Sequence, residues 1–271
     1  MALTLTILGC ASSAGVPRVG GSSHAERWGA CDATNLKNHR KRCSALLTRT
    51  GPGGTTTCVI DTGPDFRAQM LDANVSKLDG VIYTHEHADH LHGIDDMRPF
   101  ALVQRARIPV HMDDRTFNRA MTAFGYVFET PPGSSYPPIL DRRTIDHTAP
   151  VIVEGEGGTI ELMPILVNHG DIDALGFKIG KTLYLPDVKA IPKSSRDHFN
   201  DLDCLIIDAL RHKSHPSHFN LDDALAFQAE VKPGRTFLTN LHIDLDYETL
   251  MRETPESVEP AYDGLQITIS T

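Results

Sequence analysis

The stretch Thr84-His85-Glu86-His87-Ala88-Asp89-His90 constrains this chain more than any other. It follows Leu78-Asp79-Gly80-Val81-Ile82-Tyr83, a short apolar and β-branched run that predicts a buried strand ending where the histidines begin. His85 and His87, two apart in extended chain, point the same way. Asp89 and His90 follow as the chain turns toward a helix expected over Leu91 to Gln104. Metal-competent side chains therefore gather at the carboxyl end of one strand. Imidazole with carboxylate suits zinc, manganese or iron, and ligands this dense can serve two ions. A closed structural zinc site would use thiolates, and no cysteine lies here.

The rest of the chain is long enough to build a frame around that stretch. With 271 residues and 40% hydrophobic content it can bury a full core as a single domain over residues 1–271. A formal net charge of -9 gives no footprint for polyanions, so duplex nucleic acid is not expected as the main substrate. A small anion held by metal fits that charge. No apolar run approaches the ~20 residues needed to span a bilayer, and Met1-Ala2-Leu3-Thr4 opens no basic-then-hydrophobic leader. The five cysteines, Cys10, Cys31, Cys43, Cys58 and Cys204, are odd in number and scattered without a CxxC pair. They read as reduced thiols, and the expectation is a soluble, cytoplasmic protein.

Along the chain, apolar strands end repeatedly in polar residues that carry chemistry. Leu3 to Leu8 predicts a strand leading into Gly9-Cys10-Ala11-Ser12-Ser13-Ala14-Gly15-Val16-Pro17, whose small residues suit either a phosphate-binding loop around Ser13 or a tight turn. Arg18 to Arg42 predicts a long polar loop, with Arg18, Arg40 and Arg42 as cations at the mouth of a site. Ser44 to Arg49 and Thr55 to Ile60 predict paired strands running into Asp61, placed to hydrogen-bond the outer nitrogen of a metal-bound histidine. Helices are expected over Phe66 to Ala73, Thr116 to Phe124 and Leu221 to Val231. In the second half, apolar strands end at His169, Asp187, Asp208 and near His242, so these residues can converge on one edge of two packed sheets.

The order of motifs, HxHxDH, then an isolated His, an Asp and a late His, resembles the metallo-β-lactamase superfamily. Within it the chain looks most like the phosphodiesterases, in particular the phosphoribosyl cyclic phosphodiesterases of phosphonate degradation. The Gly9 to Pro17 loop, Arg42-Cys43-Ser44, Asp61-Thr62-Gly63 and His218 before Asn220-Leu221 carry that likeness. The resemblance implies an α/β, four-layer αββα sandwich of two similar halves with the metal site at the sheet edge. It implies two divalent ions, zinc or manganese with iron also compatible. One would be held by His85, His87 and His169, the other by Asp89, His90 and a late histidine, with Asp187 bridging. Relatives carry the late ligand directly after threonine, where this chain has Asn240; His242, two positions on, would share its face in extended chain. Relatives also bind a structural zinc through cysteines in the loop that here keeps only Cys31, so no third metal site is expected.

The activity implied is hydrolysis of a small cyclic or ribose or nucleotide phosphodiester by a hydroxide held between the ions, with Asp89 and Asp187 in the catalytic centre. His218 would protonate the leaving group, His215 stands in reserve, and Asp208 would orient His218 or the metal ligands, or else simply cap its strand end. Arg42, Ser13 and His215 are candidate substrate contacts, and a nucleoside monophosphate is an expected product or ligand. A tRNA 3'-processing endonuclease, a thioester hydrolase of the glyoxalase II type and a non-catalytic nucleotide-binding protein are the alternatives. Relatives are often homodimers.

Overall fold

The computed structural model describes residues 2–270. The first half contains β1 (Ala2–Gly9), α1 (His24–Trp28), β2 (Ser44–Gly51), β3 (Gly54–Ile60), α2 (Phe66–Asp72), β4 (Gly80–Ile82), α3 (Ala88–Leu91), α4 (Arg98–Gln104), β5 (Ile108–Met112), α5 (Asp114–Phe124) and β6 (Leu140–Thr144). The second contains β7 (Val151–Val153), β8 (Ile160–His169), β9 (Ile172–Ile179), β10 (Thr182–Leu185), β11 (Cys204–Asp208), α6 (Leu221–Val231), β12 (Arg235–Thr239), α7 (Tyr247–Glu253), β13 (Val258–Pro260) and β14 (Gln266–Ile269). They form two seven-stranded mixed sheets, ordered β14-β1-β2-β3-β4-β5-β6 and β13-β12-β11-β10-β9-β8-β7. The last strand returns to the first sheet and pairs antiparallel with β1, Leu5 opposite Ile267.

Alternation along the strands decides the layers. Leu5, Ile7, Leu47, Ile60 and Ile82 of one sheet meet Phe177, Tyr184, Ile206 and Phe237 of the other in a shared central core. The opposite faces carry separate apolar clusters: Val59, Val81 and Val110 under Phe66, Met97 and Ala120 on one side, Leu183, Leu205 and Leu238 under Ala224, Phe227 and Leu250 on the other. Strands buried on both faces read as continuous apolar runs, and helices must cover each outer face. The result is the four-layer αββα sandwich expected from the sequence.

The helix expected over Leu91 to Gln104 is broken into α3, a 3-10 turn over Ile94–Met97 and α4. Gly93 causes the break: a Cβ there would lie 2.2 Å from the Gly63 carbonyl oxygen, and its N–H donates to Thr62 O at 2.7 Å. Pro99 then sits in the first turn of α4, where its missing N–H costs no helical bond. The helices expected over Phe66 to Ala73, Thr116 to Phe124 and Leu221 to Val231 form with ends shifted by at most two residues. Short strands β6, β7 and β13 carry too little pattern to have been anticipated.

Candidate metal centre

Four strand ends supply the site. β4 delivers His85 and His87, and the turn into α3 adds Asp89 and His90; β8 ends at His169, β10 leads to Asp187, and β11 ends at Asp208. The two sheets meet here directly, the Leu175 N–H of β9 donating to Thr84 O at 2.9 Å.

The ring nitrogens that face inward are selected by partners behind them. Thr84 Oγ1 lies 2.9 Å from His85 Nδ1, leaving His85 Nε2 free to face the centre. Ser217 O lies 2.7 Å from His169 Nδ1, which fixes the tautomer with Nε2 inward. His85 Nε2 and His169 Nε2 lie 2.9 and 3.2 Å from His87 Nδ1. Two nitrogens held about 2.0–2.1 Å from one ion at tetrahedral to right angles stand about 2.9–3.4 Å apart, so this triad fits a single cation. Burial keeps these rings neutral, lowering His85 far below the imidazole range and His169 to about 4. Neutral imidazole is the ligand form.

His90 is built differently. Its Nδ1 lies 2.7 Å from Asp61 Oδ2, while Nε2 faces Asp187 Oδ2 at 3.0 Å and Asp89 Oδ2 at 3.7 Å. Asp61 occupies the left-handed region at φ 65, a conformation disfavoured for residues with a side chain. Its carboxylate also accepts the Thr84 N–H and hydroxyl at 2.8 Å each, which hold it there. Burial opposes a charge on His90, yet Asp187, Asp61 and Asp89 outweigh it and raise the ring well above its ordinary value. Carboxylates concentrated on a buried ring mark a pocket suited to a cation. Asp187 faces both sides, Oδ2 toward His90 and Oδ1 4.0 Å from His169 Nε2.

Beside the cluster, His218 Nδ1 lies 2.7 Å from Asp208 Oδ2 and 3.5 Å from Asp187 Oδ1. Burial opposes its charge, but the Asp208 carboxylate overrides it and His218 rises to about 9. Asp208 also accepts the Val188 N–H at 3.0 Å. His215 packs on His218 with centroids 5.1 Å apart and accepts the Ser217 N–H at 3.3 Å through Nδ1.

Some sequence expectations are not met in full. Neither Asp89, 3.7 Å from His90 Nε2, nor His242 joins the metal-capable groups, which are His85-His87-His169, His85-His90-Asp187 and His169-Asp187-His218 among the described residues. The offset of two preserves a face only in extended chain, and Asn240 takes φ 60, so the chain turns before His242 is reached. The His242 ring pairs instead with Arg18 and Asp244. The arginines at the mouth are also largely engaged. Arg40 is buried and donates to Leu245 O and Asn38 Oδ1 at 2.9 Å each, and Arg42 makes a two-pronged ion pair with Asp65 at 2.8 and 3.0 Å. Ser13 is exposed on the turn after β1.

Sequence reasoning missed Thr84 and Ser217, whose backing of ring nitrogens carries no motif of its own. It also missed Arg211 and Lys189. Lys189 Nζ lies 3.4 Å from His218 O, and the positive charge of Arg211 acts on both His215 and His242. Their position in and beside the His-rich loop was the available signal.

Two facing sheets with a His/Asp cluster at their common edge define a metallo-hydrolase fold, and the sequence matches the Beta-lactamase superfamily domain over residues 56–243. The chain is similar to a diphosphatase from the PhnP family at 31% identity and a TM-score of 0.85, over 99% of this chain and 98% of that one. It belongs to the metallo-β-lactamase superfamily, as a PhnP-like hydrolase. Zinc-bound PqqB from Methylobacterium extorquens (16% identity, TM-score 0.70, 97% and 99% covered) shares the fold. So does the short form of human tRNase Z (15%, 0.64, 99% and 100%). An octanoyltransferase of Porphyromonas gingivalis is 31% identical over 268 residues, which are 97% of this chain and 51% of that protein. The chain therefore spans about half the length of that curated relative.

Proposed function

We propose that this chain hydrolyses a phosphodiester or diphosphate bond in a small phosphorylated substrate, such as a cyclic ribose phosphate or a nucleotide derivative. The observation that carries the reading is the His218–Asp208 pair standing against the His/Asp cluster. His85, His87 and His169 would hold one divalent ion and His90 and Asp187 the other, with Asp89, 3.7 Å from His90 Nε2, as its further ligand, zinc or manganese by donor type and iron also compatible. When bound, such ions polarise a phosphoryl oxygen and lower the pKa of water.

The chain's own residues supply the rest. His218 directs Nδ1 at Asp208, so Nε2 is the nitrogen that delivers a proton to the departing oxygen. Its raised pKa keeps that proton available at neutral pH. Asp61 and Ser217 O keep His90 and His169 turned inward. Lys189 and Arg211 give the rim a positive character that suits an anionic substrate although the chain as a whole is acidic, and burial together with these cations holds the His215 ring below its ordinary range. A nucleoside monophosphate fits the same site as product.

The likeness to a PhnP-family diphosphatase supports phosphorus chemistry over the whole chain. Acyl-thioester cleavage is the second reading, favoured by the octanoyltransferase relative, though that name describes a protein of about twice this length. Phosphorus NMR of 5-phosphoribosyl 1,2-cyclic phosphate and of a dinucleoside diphosphate, each with manganese- or zinc-loaded protein, tests the proposal. Wild type should convert at least one, and His218→Ala should slow it by about 10²-fold or more. Metal-loaded protein that cleaves an octanoyl thioester and neither phosphorus substrate would establish the second reading instead.

A further inference from the structure

The two halves of the centre offer unlike donors. One side presents the inward nitrogens of His85, His87 and His169. The other presents a single inward nitrogen, His90 Nε2, with one oxygen each from Asp187 and Asp89. Against Asp187, the carboxylate between the two sides, stands Asn240, which directly follows β12 at φ 60 and is 2% exposed. Its Nδ2 donates to Asp187 Oδ1 at 3.0 Å and lies 3.1 Å from His218 Nδ1.

An amide nitrogen that carries two hydrogens has no lone pair for a cation. Turning the amide over would set its carbonyl oxygen against the carboxylate oxygen of Asp187, two acceptors face to face in a buried pocket. Asn240 therefore holds Asp187 in place and adds no ligand. Imidazole-rich sites suit zinc, whereas carboxylate and water suit manganese and magnesium.

We infer that the centre loads unequally: the His85-His87-His169 position keeps a zinc-type ion tightly, and the Asp89-His90-Asp187 position takes an exchangeable, oxygen-preferring ion such as Mn2+. Asn240 preserves that inequality by fixing Asp187 through its amide N–H while offering the pocket no donor of its own. The inference rests on the cluster being a metal centre, as proposed above. Loss of even an indirect partner costs about 10–100-fold in metal affinity, so two positions with unlike direct donors should differ by at least about 10-fold.

The test is equilibrium dialysis of chelator-stripped protein against Zn2+ and Mn2+, counted by elemental analysis and followed by Mn2+ electron paramagnetic resonance. Wild type should retain one zinc through gel filtration, and subsequent Mn2+ should show the hyperfine pattern of an isolated ion. Asn240→His should retain two zinc ions. Asn240→Asp, which adds an oxygen donor in a smaller change, should tighten Mn2+ by about 10-fold or more while leaving the first zinc unchanged. Wild type retaining two zinc ions with dissociation constants within tenfold would overturn the inference, as would an Asn240→Asp protein with wild-type Mn2+ affinity. Wild type that retains no ion would instead refute the metal-centre reading itself.

Discussion

Gly63 sits where the Asp61 strand end passes beneath the turn that carries Asp89 and His90. A Cβ on residue 63 would stand 2.0 Å from the Asp89 carbonyl oxygen and 3.0 Å from its carbon. Such contacts do not close below about 3.0 Å, so Gly63→Ala must push the Asp89 backbone away by about 1 Å. That backbone cannot move alone. The Thr62 N–H donates to His90 O at 2.8 Å, and Gly93 donates back to Thr62 O. Overpacking of this kind costs about 1–3 kcal/mol, or roughly 2–10 °C in Tm for a domain of this size. A misplacement of about 1 Å in a reacting constellation costs about 10²-fold in turnover. The assay combines thermal melting, metal content and turnover for Gly63→Ala beside Gly125→Ala, whose added Cβ meets only Met121 Cε at 3.7 Å and should be nearly neutral. A Gly63→Ala protein that melts within about 1 °C of wild type and turns over within about twofold would refute the reasoning.

Other perturbations separate the remaining roles. Asp208→Asn removes the carboxylate that lifts His218 to about 9; with the ring falling toward about 6.5, kcat at pH 8 should drop about 30-fold and the basic limb of the pH–rate profile should move down. An unmoved profile would take the proton-donor role away from His218. Arg211→Ala should raise KM for an anionic substrate about 10-fold with kcat within about twofold, measured by steady-state kinetics. His242→Ala should leave metal content unchanged by elemental analysis, because that ring pairs with Arg18 and Asp244. His111 on β5 is lowered to about 4 by burial and then by Arg143, so the unfolded chain binds the extra proton between about pH 4 and 6.5. Stability should therefore rise with pH across that window by at most about 3 kcal/mol and not change further above it. Denaturant titrations of wild type and His111→Gln should differ in that slope.

The HxHxDH stretch was legible because ligand spacing, strand end and following turn all lie within one local segment. Asp61 was legible for a related reason: an acid at a strand end beside the motif has few other tasks. His242 was misread because a single left-handed residue, Asn240, redirects the chain beyond it, and sequence pattern does not report φ. Arg40 and Arg42 were misread because their partners are distant or hidden. Leu245 O lies 205 residues from Arg40, and Asp65 lies 23 from Arg42. A cation's availability depends on contacts that only the folded chain assembles.

The meeting of both sheets at the site makes its contents part of the architecture. His85, His87 and His90 belong to the first half, His169 and Asp187 to the second, so whatever bridges them ties the halves together. A ligand bound only by the folded state adds stability by mass action, about 2.7 kcal/mol at a hundred times its dissociation constant. If a divalent ion is that ligand, as proposed, the free-ion level around this protein becomes a setting of how stable the folded chain is.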